Sequence, residues 1–305
     1  MIHCSAGFRR PSLSPPALFY IACFFAAAAL CPGAAASGGS VAVDPAAGDD
    51  SLCSTTRLCR TIAYAVQLDN VSRVNLSSGF FGESTINITN APSLVISGVA
   101  SATVFDCSRR VGLKIGPAFL IRNSTVTFSG ITFQNCSNPN GNGGALSAES
   151  SGMHVSHCRF INCSASSGGA LSSTSLFPGL FLRVQSSGFI RNTAVAASSA
   201  CPTASLALQP CSTWGGAIAA FEILAVALSL CTFEDNIAAA AVPEASLQRS
   251  RSQNAVAGGG CVSVLFRGNA SGAAVTVAGC SFLRCKVDVS TSRGVATGNG
   301  MAADF

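Results

Sequence analysis

Charge is what this sequence has least of. Only 10% of its residues are Asp, Glu, Lys or Arg, against about 25% in an ordinary globular domain. Lysine occurs twice, tryptophan once and tyrosine twice. A disordered chain needs low hydrophobicity and high charge. Here 49% of the residues are hydrophobic and mean hydropathy is +0.46, which excludes that class. Basic residues outnumber acidic ones by 18 to 13, but no basic block exists to follow a phosphate backbone, so nucleic acid is not an expected partner. Long apolar runs are missing as well. None beyond the first segment reaches the roughly 18 residues of a membrane span. The nearest, Gly216–Cys231, is interrupted by Glu222.

That first segment reads as a secretory signal peptide over residues 1–36. Arg9 and Arg10 precede the apolar run Ala17–Leu30, Pro32 and Gly33 break it, and Ala34, Ala35 and Ala36 place small residues before Ser37. The expected location is therefore extracellular or at the cell surface, with no membrane contact beyond the signal. Cysteine usage agrees. Cys4, Cys23 and Cys31 leave with the signal, and twelve of the fifteen cysteines remain, an even number suited to disulfides. Seven N-x-S/T sequons, at Asn70, Asn75, Asn87, Asn123, Asn135, Asn162 and Asn269, fit a glycosylating secretory route. Asn70, Asn75, Asn87, Asn123 and Asn269 are the preferred acceptors.

The middle of the chain is repetitive. Five segments align on Phe133, Phe160, Phe189, Phe233 and Phe282. Seven positions before the Phe stand Val126, Met153, Leu182, Val226 and Val275; five before, Phe128, Val155, Val184, Leu228 and Val277. Two before are Ile131, Cys158, Ser187, Cys231 and Cys280; three after are Cys136, Cys163, Asn192, Asn236 and Cys285. A weaker copy puts Leu94, Ile96 and Val99 in the same columns but lacks the Phe. Alternating apolar residues, a polar or glycine bend, then renewed alternation describe two short strands with a corner between them. Such a unit buries nothing alone, but stacked copies form ladders of like residues around a continuous interior. The expected fold is an all-β, single-stranded, right-handed parallel β-helix rather than a sandwich, with repeats over 93–289.

A second element follows each Phe but the last: Gly143-Gly144-Ala145-Leu146, Gly168-Gly169-Ala170-Leu171, Gly215-Gly216-Ala217-Ile218 and Gly258-Gly259-Gly260-Cys261. Glycine suits a tight corner with close backbone approach, and the small-then-apolar pair opens a third strand. No helix follows, which argues against a phosphate loop. F-x-x-N/C followed by G-G-A-[IL] resembles the repeats of the chlamydial polymorphic outer membrane proteins. More broadly, the chain is similar to the pectin-lyase-like superfamily of right-handed parallel β-helices. The likeness covers about residues 93–289 and carries no outer-membrane barrel with it, so autotransport is not implied. Similar repeats occur in secreted and surface proteins of algae and other protists.

Residues 37–92 are expected to hold the N-terminal cap and first coils. Val41-Ala42-Val43 reads as a strand, Cys53 and Cys59 bracket a loop, and Arg60–Gln67 reads as a short amphipathic helix with Ile62, Ala65 and Val66 on one side. Covering the open edge of the first coil is its expected role. Residues 290–305 read as a flexible tail. Their shortness also admits a fragment of a larger surface protein.

Polysaccharide lyases and hydrolases of this resemblance place two or three carboxylates, or carboxylate with Arg or Lys, on neighbouring coils. The outward columns after the Phe hold Gln134, Ile161, Ile190, Glu234 and Leu283, then Asn135, Asn162, Arg191, Asp235 and Arg284. Glu234 and Asp235 share one coil, and no adjacent coil adds an acid at these positions. No catalytic residue and no cofactor are therefore expected. His154, His157, Cys158 and Cys163 cannot converge on zinc, because neighbouring side chains alternate faces. Asn192 and Asn236 suit a stacked amide ladder at a buried corner.

Loop length varies at one corner. From Phe to the following Gly-Gly the coils take 10, 8, 26 and 25 residues. The long insertions, 194–214 and 238–257, are either surface padding or a composite binding face. Trp214, Arg249 and Arg251 are its candidate binding residues, and a cell-surface or matrix polysaccharide or protein is the candidate partner. The sequence thus points to a non-catalytic structural or adhesive protein, with a polysaccharide-degrading enzyme as the alternative.

Strand spacing of ~4.8 Å falls inside the ~4.4–6.8 Å Cα window of a disulfide. This predicts a bridge or sulfur contact in at least one of the column pairs Cys136–Cys163 and Cys231–Cys280. Local pairs Cys53–Cys59 and Cys201–Cys211 close short loops. Packing of Cys136 and Cys163 as small hydrophobes, or pairing of Cys158 with Cys163 or Cys280 with Cys285, are the competing outcomes.

Overall fold

The computed structural model describes residues 38–110, 115–175, 180–195, 211–240, 255–265, 274–289, 295–297 and 301–304. Among these residues the chain is a parallel β-helix, in which each strand pairs with the strand one coil later. The first sheet has eight strands, beginning with Gly39–Val43, Val71–Leu76 and Leu94–Ser97 and ending with Ala274–Ala278. The second has seven, from Gly79–Phe81 to Ser281–Leu283, and the third five, from Ser137–Asn142 to Lys286–Val289. The fourth has seven, from Ile86–Thr89 to Met301–Asp304.

The aligned columns are the register of these sheets. Val126 pairs with Met153, Met153 with Leu182, Leu182 with Val226 and Val226 with Val275. Phe133, Phe160, Phe189, Phe233 and Phe282 pair in the same succession. Their rings stack nearly parallel, with centroids 5.1, 4.8, 4.9 and 4.8 Å apart and interplanar angles of 10° or less. Those separations are the strand spacing itself, so the backbone ladder dictates the ring ladder. The column also continues backwards. Phe105 pairs with Phe133 and Phe81 with Phe105. Val99, expected in the inward column, is instead 53% exposed. The corner from Gly98 to Ala102 is longer than in later coils, so Thr103, fully buried, takes the inward place before Phe105.

Corners are made one residue at a time. Two positions after each Phe, Asn135, Asn162, Arg191, Asp235 and Arg284 have φ between 51° and 55°. Three positions before it, Gly130, His157, Ser186, Leu230 and Gly279 also have positive φ. A left-handed residue between two extended ones turns the chain sharply without breaking the ladder. The corner amides of Asn135, Asn162, Arg191 and Asp235 donate to the next coil at 3.0, 3.1, 2.8 and 3.0 Å. The Gly-Gly corner is tighter. Gly168 has φ +60°, and a Cβ there would lie 2.2 Å from the Leu171 carbonyl oxygen.

The expected helix is a single turn, Ile62–Ala65, shorter than Arg60–Gln67. Thr61 Oγ1 accepts from the Tyr64 amide at 3.2 Å. The Glu83 carboxylate accepts from the Ile62 and Ala63 amides at 2.7 and 2.8 Å. Ile62 and Ala65 are buried, whereas Val66 is only partly so. The long insertions begin and end as strands. Cys211–Trp214, Ala255–Gly258 and Val295–Thr297 form a fifth, three-stranded sheet at that corner.

Candidate functional site

The acidic pair on the Phe233 coil is not free. Arg284, one coil later, donates to Asp235 Oδ1 at 2.5 Å and Oδ2 at 3.1 Å, and to Glu234 Oε1 at 2.5 Å. That hydrogen bonding, with the positive charges of Arg284, Arg191 and Lys286, holds the Asp235 carboxyl below its ordinary range. The same two acids raise the Arg284 guanidinium above its own. A general acid must carry a proton near neutral pH, and this arrangement favours the charged form of Asp235.

A second polar cluster lies where the fourth sheet turns into the next coil. Phe119–Arg122 pairs with Leu146–Glu149, which pairs with Leu171–Thr174. Arg122 and Glu149 therefore stand opposite one another, and Arg122 Nε donates to Glu149 Oε2 at 2.8 Å. Both side chains are half exposed, at 51% each. With Asn123, Asn142, Ser147 and Thr174 they line an open groove of about 510 Å³. The groove offers guanidinium and amide donors, carbonyl acceptors and hydroxyls that do both, the set that suits a polyhydroxyl ligand. Among the described residues Glu149 is the only carboxylate lining it.

Of the predicted sequons, Asn70, Asn87, Asn123 and Asn162 are exposed. Asn75 is exposed but engaged: it donates to Ser40 Oγ at 2.8 Å and accepts from Ser97 Oγ at 2.9 Å. The Asn135 side chain donates to Asp106 at 3.2 Å. Trp214 is partly buried and ends a strand that hydrogen-bonds to the coil before it, Gly168 donating to the Trp214 carbonyl at 2.8 Å. Asn269, Arg249, Arg251 and Cys201 lie outside the described residues, and with Cys201 goes the pairing to Cys211.

Cysteine pairing corrects one expectation. Cys53 and Cys59 are bonded, as their short loop predicts. Cys136 is bonded to Cys107, with Cα atoms 4.8 Å apart, and not to Cys163. A short 3-10 turn at Cys107–Arg109 brings Cys107 onto the Cys136 column from the coil before, so the bridge spans two coils but in the other direction. Cys261 is bonded to Cys285. Cys158, Cys163, Cys231 and Cys280 are free thiols. Burial pushes both Cys158 and Cys163 up to about 12, the environment of inert core thiols. Both new pairings had a sequence signal. Ile218 pairs with Val262, so the fourth Gly-Gly element is Gly259-Gly260-Cys261-Val262, one residue later than expected; Cys261 thus stands in the column of Ala145, Ala170 and Ala217, and Cys107 lies two residues after Phe105.

His154 and Arg183 pair on adjacent strands of the first sheet, and burial together with Arg183 lowers the His154 imidazole. Asn192 and Asn236 stack as an amide ladder. Asn236 Oδ1 accepts from the Asn192 backbone and side-chain amides, both at 2.9 Å, and Asn192 Oδ1 accepts from the Cys163 amide at 3.0 Å. Among the described residues no three His, Cys, Asp or Glu side chains are grouped to hold a metal, and no helix is long and apolar enough to cross a membrane. No protein family, curated protein or solved structure matches the chain.

Proposed function

We propose that this chain works outside the cell as a non-catalytic structural or adhesive β-helix, and that the Arg122–Glu149 groove meets a polysaccharide. The observation that carries this reading is the groove's composition: among the described residues its one carboxylate is already held by its one cation, at 2.8 Å. What remains for a ligand is hydroxyl and amide, which bind sugar without cleaving it. The engagement of Glu234 and Asp235 by Arg284 supports the same reading, because it ties up the acid pair on the Phe233 coil of the second sheet. Export rests on the signal-like segment and the sequons. Kinship with the pectin-lyase-like proteins and the chlamydial repeats rests on the Phe and Gly-Gly columns. Covering of the first coil by the turn Ile62–Ala65 belongs to the same proposal.

The test is incubation of the mature protein with insoluble neutral and acidic polysaccharides, followed by pull-down and sizing of the polymer. Retention without shortening is expected, together with weakened retention of Arg122→Ala and Glu149→Gln. Reproducible shortening of any polymer would overturn the reading in favour of a lyase or hydrolase. Retention unaffected by both substitutions would remove the groove from it.

A further inference from the structure

Cys231 and Cys280 occupy one inward column on consecutive coils. Register partners flank them on both sides, Ser229 opposite Ala278 and Thr232 opposite Ser281. Their Cα atoms therefore face one another at the strand spacing of ~4.8 Å, inside the ~4.4–6.8 Å window of a disulfide. The Cys231 amide already donates to Cys280 Sγ at 3.4 Å. Both are free thiols, Cys231 buried and Cys280 only partly so. Competing partners are removed by position. Cys158 shares the column, but Ser187 intervenes and its Oγ accepts from the Cys158 amide at 3.2 Å. Two coils separate Cys158 from Cys231, ~9.6 Å at the usual spacing and too far for a bridge. Cys261 and Cys285, nearby in sequence to Cys280, are bonded to one another.

We propose that Cys231 and Cys280 form an oxidation site, a dithiol that closes to a disulfide between consecutive coils on meeting a small disulfide such as oxidised glutathione. Cys280, the more accessible, gives up its proton to solvent and attacks one glutathione sulfur. The glutathione S–S bond breaks, a Cys280–glutathione bond forms, and the first glutathione thiolate leaves. Cys231 then loses its proton and attacks Cys280 Sγ, expelling the second. Two protein thiols are oxidised and one disulfide is reduced to two thiols, so electrons and protons balance. Burial, with Cys280 beside it, pushes the Cys231 thiol up to about 11, which suits the resolving role rather than the attacking one. The closed bond would tie the strands Ala225–Ser229 and Ala274–Ala278 covalently.

The folded protein is exposed to excess oxidised glutathione, quenched with acid, alkylated after denaturation and digested without reductant. Cys231 and Cys280 should both vanish from the alkylated peptides, and a peptide joining them should appear, while Cys158 and Cys163 stay alkylated in the same digest. A Cys231–Cys280 bond already present in the purified protein counts equally. In Cys280→Ser, Cys231 should remain alkylatable. The proposal is overturned if both residues are alkylated as fully as in untreated protein. Bonding of Cys231 to a different cysteine, or a stable glutathione adduct on Cys280 with Cys231 still free, would overturn it as well.

Discussion

Single residues carry weight here because each is a rung of a ladder. Phe189 lies between Phe160 and Phe233 with centroids 4.8 and 4.9 Å away, fully buried. Removing its ring leaves a cavity bounded by two stacked rings that the strand spacing keeps apart. Phe189→Ala should therefore cost about 3–5 kcal/mol, read from denaturant unfolding; a loss under about 1 kcal/mol would deny the stack its role. Asp106 makes a pH prediction. Burial works against its charged form, but hydrogen bonds from Ser108, Gln134 and Asn135 outweigh it and leave the carboxyl below its ordinary value. A depressed carboxyl contributes stability above its unfolded pKa of about 3.9 and loses it as pH falls through the folded value. The melting temperature of the wild type should drop as pH falls below about 4, and that of Asp106→Asn should drop less. Parallel profiles would remove Asp106 from the account.

At the scale of the element, the corners decide the fold, and they pull stability in two directions. Gly168→Ala places a Cβ 2.2 Å from the Leu171 carbonyl oxygen at φ +60°, so it should destabilise, by more than the roughly 1–2 kcal/mol of left-handed strain alone. Leu230 is the reverse case, a non-glycine residue at φ 53° with 62% of its surface exposed. Leu230→Gly relieves strain worth roughly 1–2 kcal/mol, offset in part by about 0.5–1 kcal/mol of backbone entropy. A small gain in melting temperature is expected from it, and a loss comparable to that of Gly168→Ala would refute the corner assignment.

These corners also explain what could be read beforehand. Phe133 to Phe282 and the Gly-Gly-Ala elements were legible because identical neighbours in a parallel ladder favour repetition in fixed columns. Phe81 and Phe105 are not legible in this way: Phe105 stands nine residues after Ile96 across the long Gly98–Ala102 corner, and Phe81 seven after Val74, where Phe133 stands five after Phe128. Cys107 follows Phe105 out of the aligned columns, which hides it as the partner of Cys136. The groove was illegible for a different cause. Arg122, Asn142 and Glu149 come from three strands on two coils. The strand Phe119–Arg122 follows Pro117-Ala118, with no Gly-Gly pair to announce its register.

Across the described residues the β-helix is a one-dimensional stack, and its sites are consequences of which residues fall in line on successive coils. The Arg284 clamp, the Arg122–Glu149 groove and the Cys231–Cys280 pair all depend on the same in-register pairing. That pairing is most directly tested by engineered disulfides on the outer face of the second sheet. Ile161 pairs with Ile190 on adjacent coils, and Gln134 lies one coil further from Ile190. Ile161→Cys with Ile190→Cys should form a bridge under mild oxidation, detected by non-reducing peptide mapping, while Gln134→Cys with Ile190→Cys should not. Bridging of both pairs to the same extent, or only of the more distant pair, would contradict the stack.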